Sequence, residues 1–235
     1  MKKTKILSFA LISFIALNLV SCSSDDAASA PTPNPTSTLN YYPSAINNQW
    51  VYITNGVQQP PLKMVSYDAV NGNNYFTFSA QPSGSGATAT SRIRTSGSDY
   101  YIRVENITTA ASGPTPGSTT TGSETILLKD NLPVGGTWNA SYDQTTTYTD
   151  PMYPPVTINF DVTSTIIDKD ISYVVGGITY TNVIKMQRAV TYTSAMFFGY
   201  SSTYYWFSKD VGPIRIETVS GSGTTNQELA SHIIN

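Results

Sequence analysis

The stretch "MVSYDAVNGNNYFTFSA", residues 64–80, decides the fold class because it predicts two β-strands joined by a tight turn. Asn71-Gly72 lies between two runs rich in valine, tyrosine and phenylalanine, and this dipeptide is a strong signal for a two-residue hairpin. Asn and Gly adopt positive φ at low cost, which such a turn requires. The sequence therefore predicts an antiparallel hairpin at this point.

Similar hairpin patterns recur along the chain. "SRIRTSGSDYYIRVENI" (91–107) turns around Ser96-Gly97, and "ISYVVGGITYTNVIKMQRAVTYT" (171–193) turns about Gly176-Gly177. "TYYWFS" (203–208) and "PIRIETV" (213–219) predict a last pair of strands. Because long helical periodicity is missing, we expect an all-β domain over residues 41–235. Its expected form is a single antiparallel, strongly curved sheet, as a half-barrel or a sandwich.

Two segments share a tight turn that leads into a tryptophan. "PSAINNQW" (43–50) and "NLPVGGTW" (131–138) each place two turn-forming residues shortly before Trp50 or Trp138. We expect both indoles to pack into the core. The pattern indicates either duplicated halves or one strand-leading device used twice, and we favour the second.

Two other segments lack a strong strand pattern. Asp168-Lys169-Asp170 is interpreted as a polar hairpin tip, because it lacks the further ligands and the glycine of a calcium loop. The tail "ELASHIIN" (228–235) is interpreted as a short final helix or a frayed end.

Residues 1–21 have the organisation of a secretory signal peptide. Lys2, Lys3 and Lys5 precede an apolar run from Ile6 to Val20, which at roughly fifteen residues is shorter than the ~20 needed for a spanning helix. A membrane anchor or a buried helix is the less favoured alternative.

The single cysteine of the chain, Cys22, follows this run directly. Leu19-Val20-Ser21-Cys22 resembles a bacterial lipobox, which implies acylation of Cys22 and anchoring of the mature chain in a membrane. Ser23, Ser24, Asp25 and Asp26 resemble the acidic signal that sends Bacteroidota lipoproteins to the cell surface. The alternatives are the start of a solvated linker and a periplasm-facing anchor. "AASAPTPNPTSTL" (27–39) makes residues 22–40 a Pro- and Ser-rich disordered tether.

Three segments of the domain carry a family resemblance. Tyr41-Tyr42-Pro43 followed by Trp50-Val51-Tyr52, the stretch 132–138, and "YWFSKDVGPIRIE" (205–217) are similar to uncharacterised Bacteroidota outer-membrane lipoproteins. Ser44, Asn47 and Asp210 depart from that pattern. The resemblance implies a curved β-sheet domain on the outer membrane and no established chemistry.

Composition argues against most catalytic chemistry. Without residues 1–21 the chain keeps 10 of its 13 basic side chains and all 15 acidic ones, and no basic cluster suggests nucleic acid. His232 is the single histidine, so we expect no catalytic triad, no metal site, no cofactor and no enzyme. A pair of carboxylates flanking a cleft is the remaining enzymatic alternative. The candidates for it are Asp99, Glu105, Asp143, Asp161 and Glu217.

Aromatic residues are the main functional signal, with sixteen Tyr, eight Phe and three Trp. They are densest in "MFFGYSSTYYWFS" (196–208), where strand alternation puts Tyr204 and Trp206 on one face and Tyr205 and Phe207 on the other. These four residues are the candidate ligand platform, with core packing as the alternative. We expect a surface-tethered, non-enzymatic module that binds a glycan or protein partner. The alternative is a periplasm-facing half-barrel whose apolar trough binds lipid or acyl chains.

Overall fold

The computed structural model describes residues 40–83, 87–195 and 197–235. The secondary-structure elements of these ranges that are given below are all β-strands. The predicted signal peptide, Cys22, Ser23 to Asp26 and the tether up to residue 39 lie outside the described residues. The strands are β1 (Gln49–Thr54), β2 (Val57–Gln58), β3 (Leu62–Val70), β4 (Asn73–Phe78), β5 (Gln81–Ser83), β6 (Ala87–Ala89), β7 (Ser91–Ser96), β8 (Asp99–Val104), β9 (Ile107–Thr109), β10 (Ser118–Thr120), β11 (Ser123–Lys129), β12 (Thr137–Tyr148), β13 (Val156–Val175), β14 (Ile178–Thr193), β15 (Phe198–Ser208), β16 (Gly212–Ser220) and β17 (Gly223–Ile233). Within those ranges there is no helix long and apolar enough to span a membrane.

One antiparallel sheet contains nearly all of these strands. Its order is β11-β8-β7-β4-β3-β1-β17-β16-β15-β14-β13-β12-β10-β9, with β2 beside β1 and a separate β5-β6 hairpin. Strands β12 to β17 are consecutive hairpins. Strand β1 pairs with β17 along its whole length but with β3 only at Gln49 and Trp50. The sheet therefore has two halves that meet at β1.

The sheet curls so that its two halves cover each other. The ring of Tyr42 lies 5.3 Å from Trp50 and 5.9 Å from Phe78 in one half, and 6.5 Å from Phe207 in the other. Trp50, Phe78 and Phe207 are all at most 1% exposed. The apolar face is thus buried against itself, which is how a large sheet without covering helices forms a core.

The curl brings β11 to the edge of β12 without joining them by a strand ladder. Trp138 Nε1 donates to the Ile126 carbonyl at 3.2 Å, and Arg188 Nη1 donates to the same oxygen at 3.3 Å. Arg188 Nη2 also donates to Thr125 Oγ1 at 3.0 Å. The predicted all-β fold with a curved antiparallel sheet is confirmed, and the sheet is not closed into a barrel.

The predicted local signals are confirmed at the turns. Asn71 and Gly72 have φ of 50° and 78°, between β3 and β4. Gly176 and Gly177 join β13 to β14 in the same way. The turns before the tryptophans place Asn47 and Gly135 at positive φ, and both Trp50 and Trp138 are buried as expected.

Two local interpretations are wrong because distant strands decide these segments. The tail is not a helix or a frayed end: it belongs to β17, where His232 pairs with Trp50. The segment 168–170 is not a hairpin tip, because it lies inside β13 among irregular pairings between Ile166 and Tyr173. Lys169 there donates to the carbonyls of Asp130 and Leu132 at 2.7 and 3.3 Å, which fixes the irregular stretch.

The long strands give the domain two ends. The turns 149–155 and 221–222 lie at one end, together with residues 194–195 and 197, and we call this the distal end. The turn 209–211 lies at the other, and there Asp210 N donates to the Asn40 carbonyl at 2.7 Å. Because β15 has eleven residues, its two termini are about 33 Å apart at a strand rise of ~3.3 Å per residue. The start of the domain thus lies opposite the distal end.

Replacing Gly122 by alanine tests the close contact beside β11. A Cβ at this position would overlap the Val104 carbonyl oxygen and lie 2.8 Å from the Glu105 carbonyl carbon. We expect Gly122→Ala to lower the free energy of unfolding by about 2–3 kcal/mol in urea denaturation, because the backbone must shift. The control is Gly221→Ala, whose Cβ meets no atom within 4 Å. Equal stability of the two variants would contradict this packing.

The raised pKa values of the buried tyrosines predict that the fold loses stability at high pH. Burial raises the pKa of Tyr41 to about 12, with Asp170 and Asp130 adding to it, and burial also raises the pKa of Tyr42, Tyr52 and Tyr100. An unfolded tyrosine ionises near 10, so the folded state holds more protons above that pH. We expect stability from these groups to be complete below pH 10 and lost as the pH rises toward 12 and beyond. Only the last part of the rise in tyrosinate absorbance, which comes from the buried tyrosines, should coincide with the loss of the circular dichroism signal. Full ionisation of all tyrosines near pH 10 with the sheet intact would contradict the prediction.

Candidate functional site

The predicted platform lies on β15 but is largely closed. Tyr205 and Phe207 share the core side and their rings stack at 5.6 Å and 16°. Phe207 is fully buried and Trp206 is 5% exposed. Tyr204 and Tyr205 are half-buried and pack against the core. Trp206 and Phe207 therefore follow the core-packing alternative.

Trp206 is covered although it lies on the face opposite Phe207. Its cross-strand neighbours are Lys185 on β14 and Arg215 on β16, whose charged groups lie 5.0 and 5.2 Å from the indole ring. The ring of Tyr173 lies 5.3 Å away. Tyr173 stands at the end of the irregular stretch of β13, and its ring covers part of Trp206. These cation–π contacts stabilise the fold and leave no open ring for a ligand.

The exposed aromatic side chains lie at the distal end of the same strand. Phe198 and Tyr200 are 68% and 62% exposed and point to one face of β15. We call this surface the outer distal face. Its cross-strand neighbours, in register on β14, β13 and β12, are Thr193, Thr191, Asn159, Asp161, Asp143 and Ser141. Phe198 and Tyr200 stand in the densest aromatic run, and the alternation of bulky with small residues around Gly199 was the available signal for them.

Polar groups beside these rings are held in cross-strand pairs. Asn159 Nδ2 donates to Asp143 Oδ1 at 2.7 Å, and Ser141 Oγ donates to Asp161 Oδ1 at 2.6 Å. Both bonds use Oδ1, so Oδ2 of each carboxylate is available as an acceptor. Asp143 and Asp161 are thus the two of the five candidate carboxylates that the structure brings to one open face. Asp99, Glu105 and Glu217 instead form ion pairs with Lys129, with Arg92 and Arg103, and with Arg215.

The strands of the distal end carry negative charges and no positive ones. Residues 139–163 contain three aspartates and no lysine or arginine, and residues 189–208 contain no charged residue. Across the described ranges, no group of three or more His, Cys, Asp or Glu side chains could hold a metal ion. The outer distal face therefore combines exposed aromatic rings, hydroxyls, an amide and carboxylates without a cation.

The opposite face of the same strands carries a second aromatic group, which we call the inner aromatic row. Tyr142 and Phe160 stack at 5.0 Å and 9°, Tyr192 lies 6.1 Å from Phe160, and Phe197 lies 6.3 Å from Tyr192. The Tyr192 ring lies over Gly199, where an added Cβ would overlap it. All four rings are half-buried.

A shallow depression of about 250 Å³ also lies at the distal end. It is lined by Ala111, Gly113, Pro114, Thr115, Pro116, Thr149 and Asp150. Met152 and Tyr153, in the adjoining β12–β13 turn, are 87% and 41% exposed. These residues extend the polar and aromatic surface of the distal end.

Comparison with known proteins gives no family. No family model matches the chain, and no curated protein matches it. One solved structure similar to it is a crystal structure described as a "putative lipoprotein" from Parabacteroides distasonis ATCC 8503, with 11% identity and a TM-score of 0.45. The likeness covers 84% of this chain and 100% of that one. At this identity and score it carries no argument about function, and the family resemblance of the motifs stays a prediction.

Proposed function

We propose that this protein is a lipid-anchored, non-enzymatic binding module of the cell surface, and that its outer distal face recognises a neutral glycan. The observation that carries the proposal is the exposure of Phe198 and Tyr200 side by side, at the end of the domain farthest from Asn40. Folding alone does not favour two exposed rings next to each other, because burying them would lower the free energy.

The chemistry of this face fits sugar rings. Phe198 and Tyr200 are two residues apart, so their Cα atoms are separated by about 6.7 Å along the strand. Each ring offers an apolar surface on which the C–H face of a sugar can stack. The free oxygens of Asp143 and Asp161 can accept from sugar hydroxyls, and Thr191 and Thr193 can donate to ring or hydroxyl oxygens.

The charge of the outer distal face limits the class of glycan that it can bind. Because the outer distal face has aspartates and no lysine or arginine, it would repel phosphate-rich or carboxylate-rich polymers. A neutral glycan meets no such repulsion. The same charge supports the predicted absence of a nucleic-acid partner.

The tether supports an outward orientation of this face. Residues 22–40 would span roughly 20–25 Å as a flexible coil and reach farther where proline stiffens them. The domain adds about 33 Å between Asn40 and the distal end. An anchor at Cys22 would thus hold Phe198 and Tyr200 away from the membrane that carries it.

The acyl-chain alternative has less support. A trough inside the curved sheet would need open space lined by apolar side chains. In the described residues that space is filled by core side chains such as Trp50, Phe78 and Phe207, all at most 1% exposed. We therefore favour recognition at the outer surface over storage of lipid inside the curve.

Replacing Cys22 by alanine tests the anchor. Three acyl chains, as the lipobox resemblance implies, would bury far more methylene groups than one chain, and each contributes ~0.8 kcal/mol. We expect Cys22→Ala to move the protein from the membrane pellet to the soluble fraction, whereas Ser24→Ala should leave it in the pellet. Retention of the Cys22 variant in the pellet would contradict lipid anchoring.

Removing the exposed rings tests recognition. We expect the intact domain to bind neutral oligosaccharides on a glycan array. Phe198→Ala and Tyr200→Ala should each weaken binding about two- to tenfold, since a ring contact contributes ~0.5–1.5 kcal/mol and 1.4 kcal/mol is tenfold. The matched control is Val134→Ala, which removes another exposed apolar side chain, 59% exposed. Equal binding by all three variants, or binding restricted to acidic glycans, would overturn the proposal.

A further inference from the structure

Arg188 is a cation without a counter-charge on the inner face of β14. Two of its N–H groups donate to the Ile126 carbonyl and Thr125 Oγ1, which are neutral acceptors. Among the ion pairs of the described residues, none includes Arg188. A guanidinium has five N–H donors, so three remain for other partners. A half-buried positive charge without a negative partner costs free energy, and an anionic partner would offset that cost.

Ser164 supplies an independent observation beside Arg188. It is directly opposite Arg188 in the β13–β14 register, so the two side chains are neighbours on one face. Ser164 is fully buried, and its Oγ has no hydrogen-bond partner among the described residues. An unpaired buried hydroxyl costs free energy that a polar ligand would recover.

Other hydroxyls surround the same point. Tyr205 is two residues from Thr203 and therefore on the same face of β15. Burial raises the pKa of Tyr205, and the Arg188 guanidinium opposes this rise. Thr203 lies opposite Arg188 on the β15 side and shares a hydrogen bond of 3.1 Å with Thr218. Arg188 is thus flanked by hydroxyl groups on both neighbouring strands.

We infer that this cluster, Arg188 with Ser164, Thr203 and Tyr205, is a binding site for the carboxylate of a hydroxyl-bearing acidic ligand, of the uronic-acid class. The guanidinium fork matches a carboxylate in two parallel hydrogen bonds. One cation matches one negative charge, whereas a phosphate dianion would leave a charge uncompensated. The hydroxyls of Thr203 and Tyr205 would bond the hydroxyls of the ligand. The site lies on the inner face and does not depend on the outer distal face.

Glucuronate and glucose are the test probes, because they differ at the carboxylate. In a ¹H–¹⁵N titration of the domain we expect glucuronate, and not glucose, to shift the amides of Ser164, Arg188 and Thr203. Arg188→Lys should weaken this binding at least tenfold, because lysine keeps the charge and loses the fork. Arg188→Met should abolish it. Lys209→Met, which removes one positive charge elsewhere, should leave it unchanged.

The variants also separate binding from folding. Arg188 contacts β11, so Arg188→Met is interpreted only if its melting temperature stays near that of the parent. If it does not, Arg188→Lys and Thr203→Val carry the test, with Thr203→Val expected to weaken glucuronate severalfold. Equal shifts with glucose and glucuronate, or glucuronate binding that survives in Arg188→Lys, would overturn the inference. Acetate binding as tightly as glucuronate would overturn the role of the hydroxyls.

Discussion

The hydrogen bond from Trp50 Nε1 to the Val211 carbonyl, 2.7 Å long, ties β1, the strand at which the two halves of the sheet meet, to the turn 209–211. Trp50 stands on β1, the strand at which the halves meet, and the pairing of β1 with β3 is limited to two residues. The indole also requires Gly212, where φ is 102° and a Cβ would lie 3.2 Å from Nε1. Trp50 thus adds a buried side-chain contact at the strand where the ladder between the two halves is only two residues long.

A second set of side-chain bonds joins the two edges that the curl brings together. Trp138 and Arg188 donate to β11 where it approaches β12 without a strand ladder. Strand β1 ends at Thr54, whereas β12 to β15 continue to the distal end. The outer distal face lies on these distal parts. The Arg188 cluster lies nearer the core, because Arg188 donates to β11 and Ser164 is fully buried.

The sequence correctly predicted the features that depend only on residues adjacent in the chain. Asn71-Gly72 and Gly176-Gly177 specify their turns through positive φ, which needs no distant partner. The tail and the segment 168–170 were misinterpreted because β1 and the irregular β13–β14 pairing determine their structure. Trp206 is a further example. Strand alternation correctly placed its side chain on the face opposite Phe207. Its burial depends on Tyr173, which comes from a distant part of β13. Exposure of an aromatic residue depends on such tertiary contacts and does not follow from alternation.

The distal strands separate charge across the thickness of a single sheet. Their outer face carries Asp143 and Asp161, and the inner face carries Arg188 closer to the core. Because side chains alternate between faces, neighbouring residues of β13 and β14 contribute to opposite surfaces. The acidic ligand proposed for the inner face is therefore disfavoured by the carboxylates of the outer face. Variants at Phe198 and at Arg188 should accordingly act independently, since the residues lie on different faces. Arg188 is five residues along β14 from Thr193, the partner of Phe198, which is about 16 Å at a strand rise of ~3.3 Å per residue. Additive effects are expected for sites so far apart.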